Sequence, residues 1–122
     1  MKIETIVTGP IQENCYIVMD EATHEAIVVD PGDDAPKIVA AIERMQAKPA
    51  AIVNTHCHFD HVGAVNAIKK QYGILFYIHP NDEELLSRAG VSAARWGLTV
   101  DQPTPDGFIK EGDRVKVGNE SL

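Results

Sequence analysis

Cysteine is nearly absent from the chain, whose 122 residues contain only Cys15 and Cys57. Two thiols do not make the disulfide framework of a small secreted domain, so reduced surroundings are expected. Lysines and arginines gather into no run, and the net charge of −7 argues against a nucleic-acid partner. No apolar stretch reaches a membrane-spanning length, and residues 1–10 lack the apolar core of a signal peptide. We therefore expect a cytoplasmic protein without nucleic-acid or membrane partners.

The composition is that of an ordinary globular protein. Hydrophobic residues make up 44% of the chain and charged residues 24%, which excludes disordered and fibrous classes. The length suits one domain, and no linker or internal repeat divides the chain. We expect residues 1–122 to form a single domain.

Three β-rich segments open the chain, at residues 2–8, 14–19 and 26–29. Polar turns separate them, so they predict a meander of sequential strands. The third segment ends at Asp30, which is followed by the turn signal Pro31-Gly32.

Helical and strand patterns then alternate. Apolar residues recur at helical spacing between residues 38 and 45, with Asp33 or Asp34 as the N-cap and Pro36 in the first turn. The apolar run at 50–53 predicts a buried strand, and Val62–Tyr72 shows another helix face. This alternation indicates an α/β or mixed-sheet (α+β) protein.

The second half of the chain carries weaker patterns. Gly73 stands where a left-handed C-terminal cap would end a helix, and residues 74–78 predict a strand. His79 to Arg88 resembles a helix with its start signal, and residues 108–117 predict a β-segment around Glu111-Gly112-Asp113.

A dense group of metal-binding side chains follows the strand predicted at 50–53. His56, His58, Asp60 and His61 place three imidazoles and a carboxylate within six residues. Such ligands suit Zn²⁺ and also admit Fe²⁺ or Mn²⁺, and the group could serve one ion or two. A metal-bound water would lose its proton near neutral pH and become a nucleophile, so the group predicts a hydrolytic function. Asp60 is the predicted catalytic residue, either as a ligand or as the acceptor of a hydrogen bond from the attacking water.

The neighbouring polar residues have simpler interpretations. Cys57 would turn away from the flanking histidines in an extended loop, and Cys15 is expected to be a small buried apolar residue. His79 is expected to be structural. Asp30 remains open between turn formation and a place beside the metal site.

Residues 55–64 (THCHFDHVGA) resemble the H-x-H-x-D-H signature of the metallo-β-lactamase superfamily. Residues 14–16 (NCY), 29–32 (VDPG) and 111–113 (EGD) are similar to the hydroxyacylglutathione hydrolase, or glyoxalase II, branch. The resemblance covers essentially the whole chain.

The resemblance implies an αββα sandwich, of which this chain supplies roughly the first half. It implies that His56 and His58 help to hold one metal ion, while Asp60 and His61 help to hold a second. A zinc-bound hydroxide would then cleave a thioester, such as an S-acyl glutathione, to a carboxylic acid and a thiol.

The chain departs from the family pattern in its second half. The resemblance implies a downstream histidine, a bridging aspartate and a last histidine, but no histidine follows His79. We therefore expect a domain truncated at its C-terminus, with weak metal binding and little or no activity in isolation. Either a missing C-terminal half or a second copy in a homodimer would cover the exposed face of the sheet.

Two other functions stay open. The cluster is shared across the superfamily, so a lactamase, lactonase or phosphodiesterase would carry it as well. A noncatalytic metal-binding or assembly module would use the ion only to hold a loop.

Overall fold

A six-stranded mixed sheet with two helices on one face forms the body of the protein. The computed structural model describes residues 1–9, 12–55, 63–83, 86, 103–109, 116–117 and 120–121. The strands are β1 (Lys2–Thr8), β2 (Glu13–Met19), β3 (Glu25–Val29), β4 (Lys48–Val53), β5 (Leu75–Ile78) and β6 (Gly107–Phe108). The helices are α1 (Ala35–Met45), between β3 and β4, and α2 (Val65–Tyr72), between β4 and β5.

The strands lie in sequence order across the sheet. β1, β2 and β3 pair antiparallel, which confirms the predicted meander, and β3, β4, β5 and β6 pair parallel. Two short strands, β7 (Lys116–Val117) and β8 (Glu120–Ser121), form a separate antiparallel pair, and β7 lies beside β3. The predicted mixed sheet is confirmed.

Helix α1 follows the predicted apolar spacing and buries Ile38, Ala41, Ile42 and Met45 against the sheet. Asp34 is the N-cap residue, as predicted, but its side chain makes no capping hydrogen bond. Its Oδ2 instead accepts a hydrogen bond of 2.9 Å from the backbone N–H of Gly9. The start of the helix is therefore tied to the turn after β1.

Of the later predictions, the strand at 74–78 and the cap at Gly73 are confirmed, while the β-segment predicted at 108–117 is described as strand only at Phe108 and at 116–117, in two separate sheets. Helix α2 ends at Gly73, whose φ of 65° is the predicted left-handed cap. Pro80–Asp82 is a single 3₁₀ turn, and His79 Nδ1 caps it by accepting a hydrogen bond of 3.1 Å from Asn81 N–H. Most of the helix predicted up to residue 88, and the turn predicted at 111–113, lie outside the described residues.

The two faces of the sheet differ in how well they are covered. The main core lies between the sheet and both helices, and Ile17, Ile52 and Phe76 are fully buried there. A smaller cluster of Val18 and Ile27 occupies the opposite face. On that face the residues Ile3, Val7 and Leu75 are 63%, 44% and 51% exposed. Within the described part of the chain, one face of the sheet thus keeps apolar surface in water.

Among the residues that the structure describes, no helix combines the length and the apolar character that a membrane-spanning helix needs.

Asp106 fastens β6 to the rest of the sheet. Its Oδ2 accepts a hydrogen bond of 2.9 Å from Phe76 N–H and lies 2.6 Å from Lys69 Nζ, while its own N–H donates to Phe76 O at 2.8 Å. The hydrogen bond from Lys69, followed by the one from Phe76, holds the pKa of Asp106 below its usual range. The ionised carboxylate therefore stabilises the folded state.

We expect Asp106→Asn to lower the free energy of unfolding at pH 7 by about 0.5–1 kcal/mol, because the charged partner is lost at a partly exposed position. A carboxyl with a depressed pKa stabilises above its unfolded pKa and loses this contribution as pH falls through its folded pKa, below about pH 4. Urea unfolding should show a difference in the free energy of unfolding between parent and variant that is smaller at pH 3 than at pH 7. Glu83→Gln, at an exposed carboxylate, is the control. An equal difference in the free energy of unfolding at both pH values would contradict a stabilising role of the ionised Asp106.

Candidate metal centre

The segment that carries the predicted ligands begins directly after β4. This strand ends at Val53, and Asn54 and Thr55 lead into the cluster. All four predicted ligands, His56, His58, Asp60 and His61, lie outside the described residues, as does Cys57. The structure describes the residues on both sides of them, up to Thr55 and again from Gly63, and these flanking parts of the fold are here named the frame.

Buried polar residues concentrate at the edge of the sheet where this segment starts. Strands β3, β4 and β5 are parallel, so their carboxyl ends share one edge, and the antiparallel meander brings the end of β1 and the start of β2 to the same edge. Four of the five buried polar residues described lie there, namely Thr8, Glu13, Asp30 and Asn54. Burying polar groups is unfavourable unless they are satisfied or used, so this edge is the candidate functional site.

Asp30 is a buried carboxylate bonded to Thr55, the last described residue before the predicted ligands. Its Oδ1 accepts a hydrogen bond of 2.7 Å from Thr55 N–H, and its Oδ2 accepts a short hydrogen bond from the Thr55 hydroxyl. Asp30 is 3% exposed and has a φ of 54°, in the left-handed region where aspartate is among the better tolerated residues. The residue therefore belongs to the turn and also holds Thr55, next to the segment that carries the predicted ligands, while its place beside a metal ion stays a prediction.

The far side of the segment packs on the same turn. Ala64 N–H donates a hydrogen bond of 2.9 Å to Pro31 O. Gly63 lies so close to Gly32 that a Cβ at position 63 would overlap the Gly32 carbonyl oxygen. Sequence reasoning missed the roles of Thr55 and Gly63, although a glycine immediately after the cluster was a usable signal.

Cys15 lies near the same edge but cannot act as a thiolate. It is fully buried, and burial raises the pKa of its thiol far above the usual value, with further contributions from the negative charges of Glu13 and Asp30. Only the thiolate is nucleophilic or ligating. The prediction that Cys15 is a small buried apolar residue is confirmed.

The described part of the chain contains two further histidines, His24 and His79. His24 belongs to the turn after β2, at the opposite end of the sheet, with Nδ1 3.0 Å from Gln46 O. His79 lies at the site edge, where its Nδ1 is engaged by Asn81, as expected of a structural residue.

The donor set fits a divalent metal ion by its chemistry. Three imidazoles and a carboxylate are ligands of Zn²⁺ and Fe²⁺, and they follow a strand at an edge where the frame is rigidly hydrogen-bonded. Among the residues that the structure describes, which do not include 56–61, no three His, Cys, Asp or Glu side chains come close enough to hold an ion. The cluster at 56–61 is the candidate metal centre.

Comparison with known proteins identifies the family. The family model of the metallo-β-lactamase superfamily matches residues 8–121, so the chain belongs to this superfamily. An uncharacterized protein of Aquifex aeolicus is 42% identical over 98% of this chain and 56% of its own length. The hydroxyacylglutathione hydrolase GloC of Haemophilus influenzae is 32% identical over 96% of this chain and 56% of its own length. The chain spans about half the length of these relatives.

Solved structures agree on the fold. The B3 metallo-β-lactamase BLEG-1 superposes with a TM-score of 0.85 and 32% identity, covering 98% of this chain and 58% of its own. TTHA1623, solved in a di-iron-bound form, gives 0.84 and 36%, covering 92% of this chain and 56% of its own. The sheet with its two helices is therefore the first half of the metallo-β-lactamase fold, as the sequence resemblance implied. Metal ions are expected of the superfamily, and the neighbour with two irons shows that zinc is not the only candidate.

Proposed function

We propose that the chain is the metal-binding half of a hydrolase that cleaves thioesters of the S-acyl glutathione type. The observation that carries the proposal is the H-x-H-x-D-H segment leaving β4 at the sheet edge where buried Asp30 holds Thr55. The similarity to a hydroxyacylglutathione hydrolase over 96% of the chain supports the choice of a thioester.

In this proposal His56 and His58 hold one ion, and Asp60 and His61 hold a second. Zn²⁺ is the proposed metal, with Fe²⁺ as the alternative that the di-iron neighbour favours. A bound divalent ion supplies Lewis acidity and a water acidic enough to lose its proton near neutral pH. Asp60 would either coordinate an ion or accept a hydrogen bond from that water, while Asp30 keeps the start of the segment in place.

The exposed apolar face of the sheet suggests what completes the protein. Ile3, Val7 and Leu75 lie on the face opposite the helices, and the matched relatives are nearly twice as long as this chain. We propose that a second half covers this face and supplies the remaining ligands, and that a homodimer is the alternative.

A β-lactam is the competing substrate class, because BLEG-1 is 32% identical over 98% of the chain. A noncatalytic module is the competing class of function. Both alternatives share the metal cluster with the proposal. A β-lactamase would differ in its substrate, and a noncatalytic module would hydrolyse nothing.

A substrate panel separates these functions. The test protein, here named the extended chain, is residues 1–122 joined to the part of the Aquifex aeolicus relative that this chain does not match. Loaded with Zn²⁺ or Fe²⁺, it should give its highest kcat/KM with an S-acyl glutathione, against a β-lactam, a lactone and a phosphodiester. A higher kcat/KM with another compound would assign that compound's class as the substrate instead. Bound metal without any hydrolysis would favour the noncatalytic module.

A further inference from the structure

One three-residue turn holds both ends of the metal-binding segment. The segment 56–62 leaves the described frame at Thr55 and rejoins it at Gly63, and both residues contact Asp30–Gly32, the turn that follows β3. None of these contacts involves a predicted ligand.

The N-terminal end is held by hydrogen bonds. Both carboxylate oxygens of Asp30 accept hydrogen bonds from Thr55, one from the backbone N–H and one from the hydroxyl. Asp30 is itself fixed, because its N–H donates to Val53 O at 3.2 Å. On the other side of β4, Asn54 N–H donates to Tyr77 O at 3.1 Å. Hydrogen bonds to a charged, buried acceptor are among the stronger ones in proteins.

The C-terminal end is held by close packing. Ala64 is 3% exposed, and its N–H is bonded to Pro31 O at 2.9 Å. Its carbonyl accepts the first hydrogen bond of α2, from Ile68 N–H at 3.1 Å. Gly63 approaches the Gly32 carbonyl more closely than any side chain would permit. Position 63 therefore sets how near the helix start can come to the turn.

Fixing both ends matters for metal binding. A loop whose ends are free must lose conformational entropy when an ion gathers its side chains, whereas a loop with fixed ends has already lost part of it on folding. Resting on the proposed metal site, we propose that Asp30–Gly32 is a two-ended clamp, in which Asp30, Thr55 and Gly63 are positioning residues that set the affinity and geometry of the metal bound at 56–61.

Four variants of the extended chain test the clamp. Asp30→Ala removes both acceptors at the N-terminal end, and Gly63→Ala adds a Cβ against Gly32 O at the C-terminal end. Thr55→Val removes one hydrogen bond while keeping the β-branched shape, and Thr55→Ser restores the hydroxyl.

Gly73→Ala is the matched control. It strains a left-handed position with a φ of 65° and lowers stability, yet the added Cβ meets nothing within 4 Å. It lies at the far end of α2, about 12 Å along the helix axis from the clamp.

The readouts are the Zn²⁺ dissociation constant, by competition with a chromophoric chelator, the visible spectrum of bound Co²⁺, and the Tm of the metal-free protein. We expect Asp30→Ala and Gly63→Ala to weaken Zn²⁺ binding by about 10–100-fold, the range typical of lost supporting contacts around a metal site, and to shift the Co²⁺ bands. Thr55→Val should weaken binding less, Thr55→Ser should restore it, and Gly73→Ala should lower Tm without changing affinity or spectrum.

Two results would overturn the clamp, and they differ in meaning. If folded clamp variants lose Tm but keep the parent's Zn²⁺ affinity and Co²⁺ spectrum, the turn is structural only, while the proposed function stands. If the folded parent binds no Zn²⁺, Co²⁺ or Fe²⁺, the proposed function fails and the clamp fails with it. Should Asp30→Ala or Gly63→Ala not fold, the Thr55→Val and Thr55→Ser pair decides by the same measurements.

Discussion

Asp60→Ala is expected to lower kcat/KM of the extended chain for an S-acyl glutathione by about 10³-fold while the fold stays intact. Removing a group that orients or deprotonates the attacking water typically costs 10²–10⁴-fold, and a lost metal ligand adds to that effect. Initial rates at saturating Zn²⁺, with circular dichroism to confirm folding, give the measurement.

Glu21→Ala is the control for removing a carboxylate. Its side chain is 66% exposed on the turn after β2, at the end of the sheet opposite the metal segment, and it should leave kcat/KM unchanged. A folded Asp60→Ala variant that keeps more than about a tenth of the parent activity would exclude a catalytic role for Asp60.

Residues 1–122 alone are expected to bind Zn²⁺ more than about 100-fold more weakly than the extended chain, and to hydrolyse the same thioester at a rate at least about 10³-fold lower. In the proposed site four ligand side chains would be shared between two ions, which would leave each ion under-coordinated. The apolar face around Ile3, Val7 and Leu75 also stays in water, which lowers the stability of the frame.

The comparison is made at matched metal loading, with sedimentation velocity run on both proteins. Concentration-dependent self-association of residues 1–122 would support a homodimer that covers the same face. Equal affinity and equal activity in the two proteins would show that the second half is dispensable for the site.

Periodicity predicted most of the described secondary structure because local patterns and tertiary packing agree there. Residues 2–8 alternate in polarity and lie on an edge strand with one covered face. The apolar spacing of α1 matches the residues that it buries, and the glycine at 73 adopts the predicted left-handed cap.

Contacts between residues distant in sequence could not be predicted in the same way. Asp34 bonds to Gly9 instead of capping its helix, since the fold brings the turn after β1 next to it. Asp30 meets Thr55 because β3 and β4 are parallel neighbours, and the space at Gly63 is set by Gly32. The β7–β8 pair was not predicted, because strands of two residues carry too little pattern.

The candidate site also combines a part that the sequence predicts with a part that only the fold reveals. The ligands proposed for it, His56, His58, Asp60 and His61, were predicted from ligand chemistry and density within one short segment. Its frame, formed by Asp30–Gly32, depends on the sheet and became visible only in the structure.

Metal content tests the central claim most directly. The extended chain, purified after exposure to equal Zn²⁺ and Fe²⁺ and analysed by inductively coupled plasma mass spectrometry, should carry at least one ion per chain. The double variant His56→Ala/His58→Ala, folded by circular dichroism, should lose at least one of those ions. An equal metal content in both proteins, or none in the parent, would contradict a metal centre at residues 56–61.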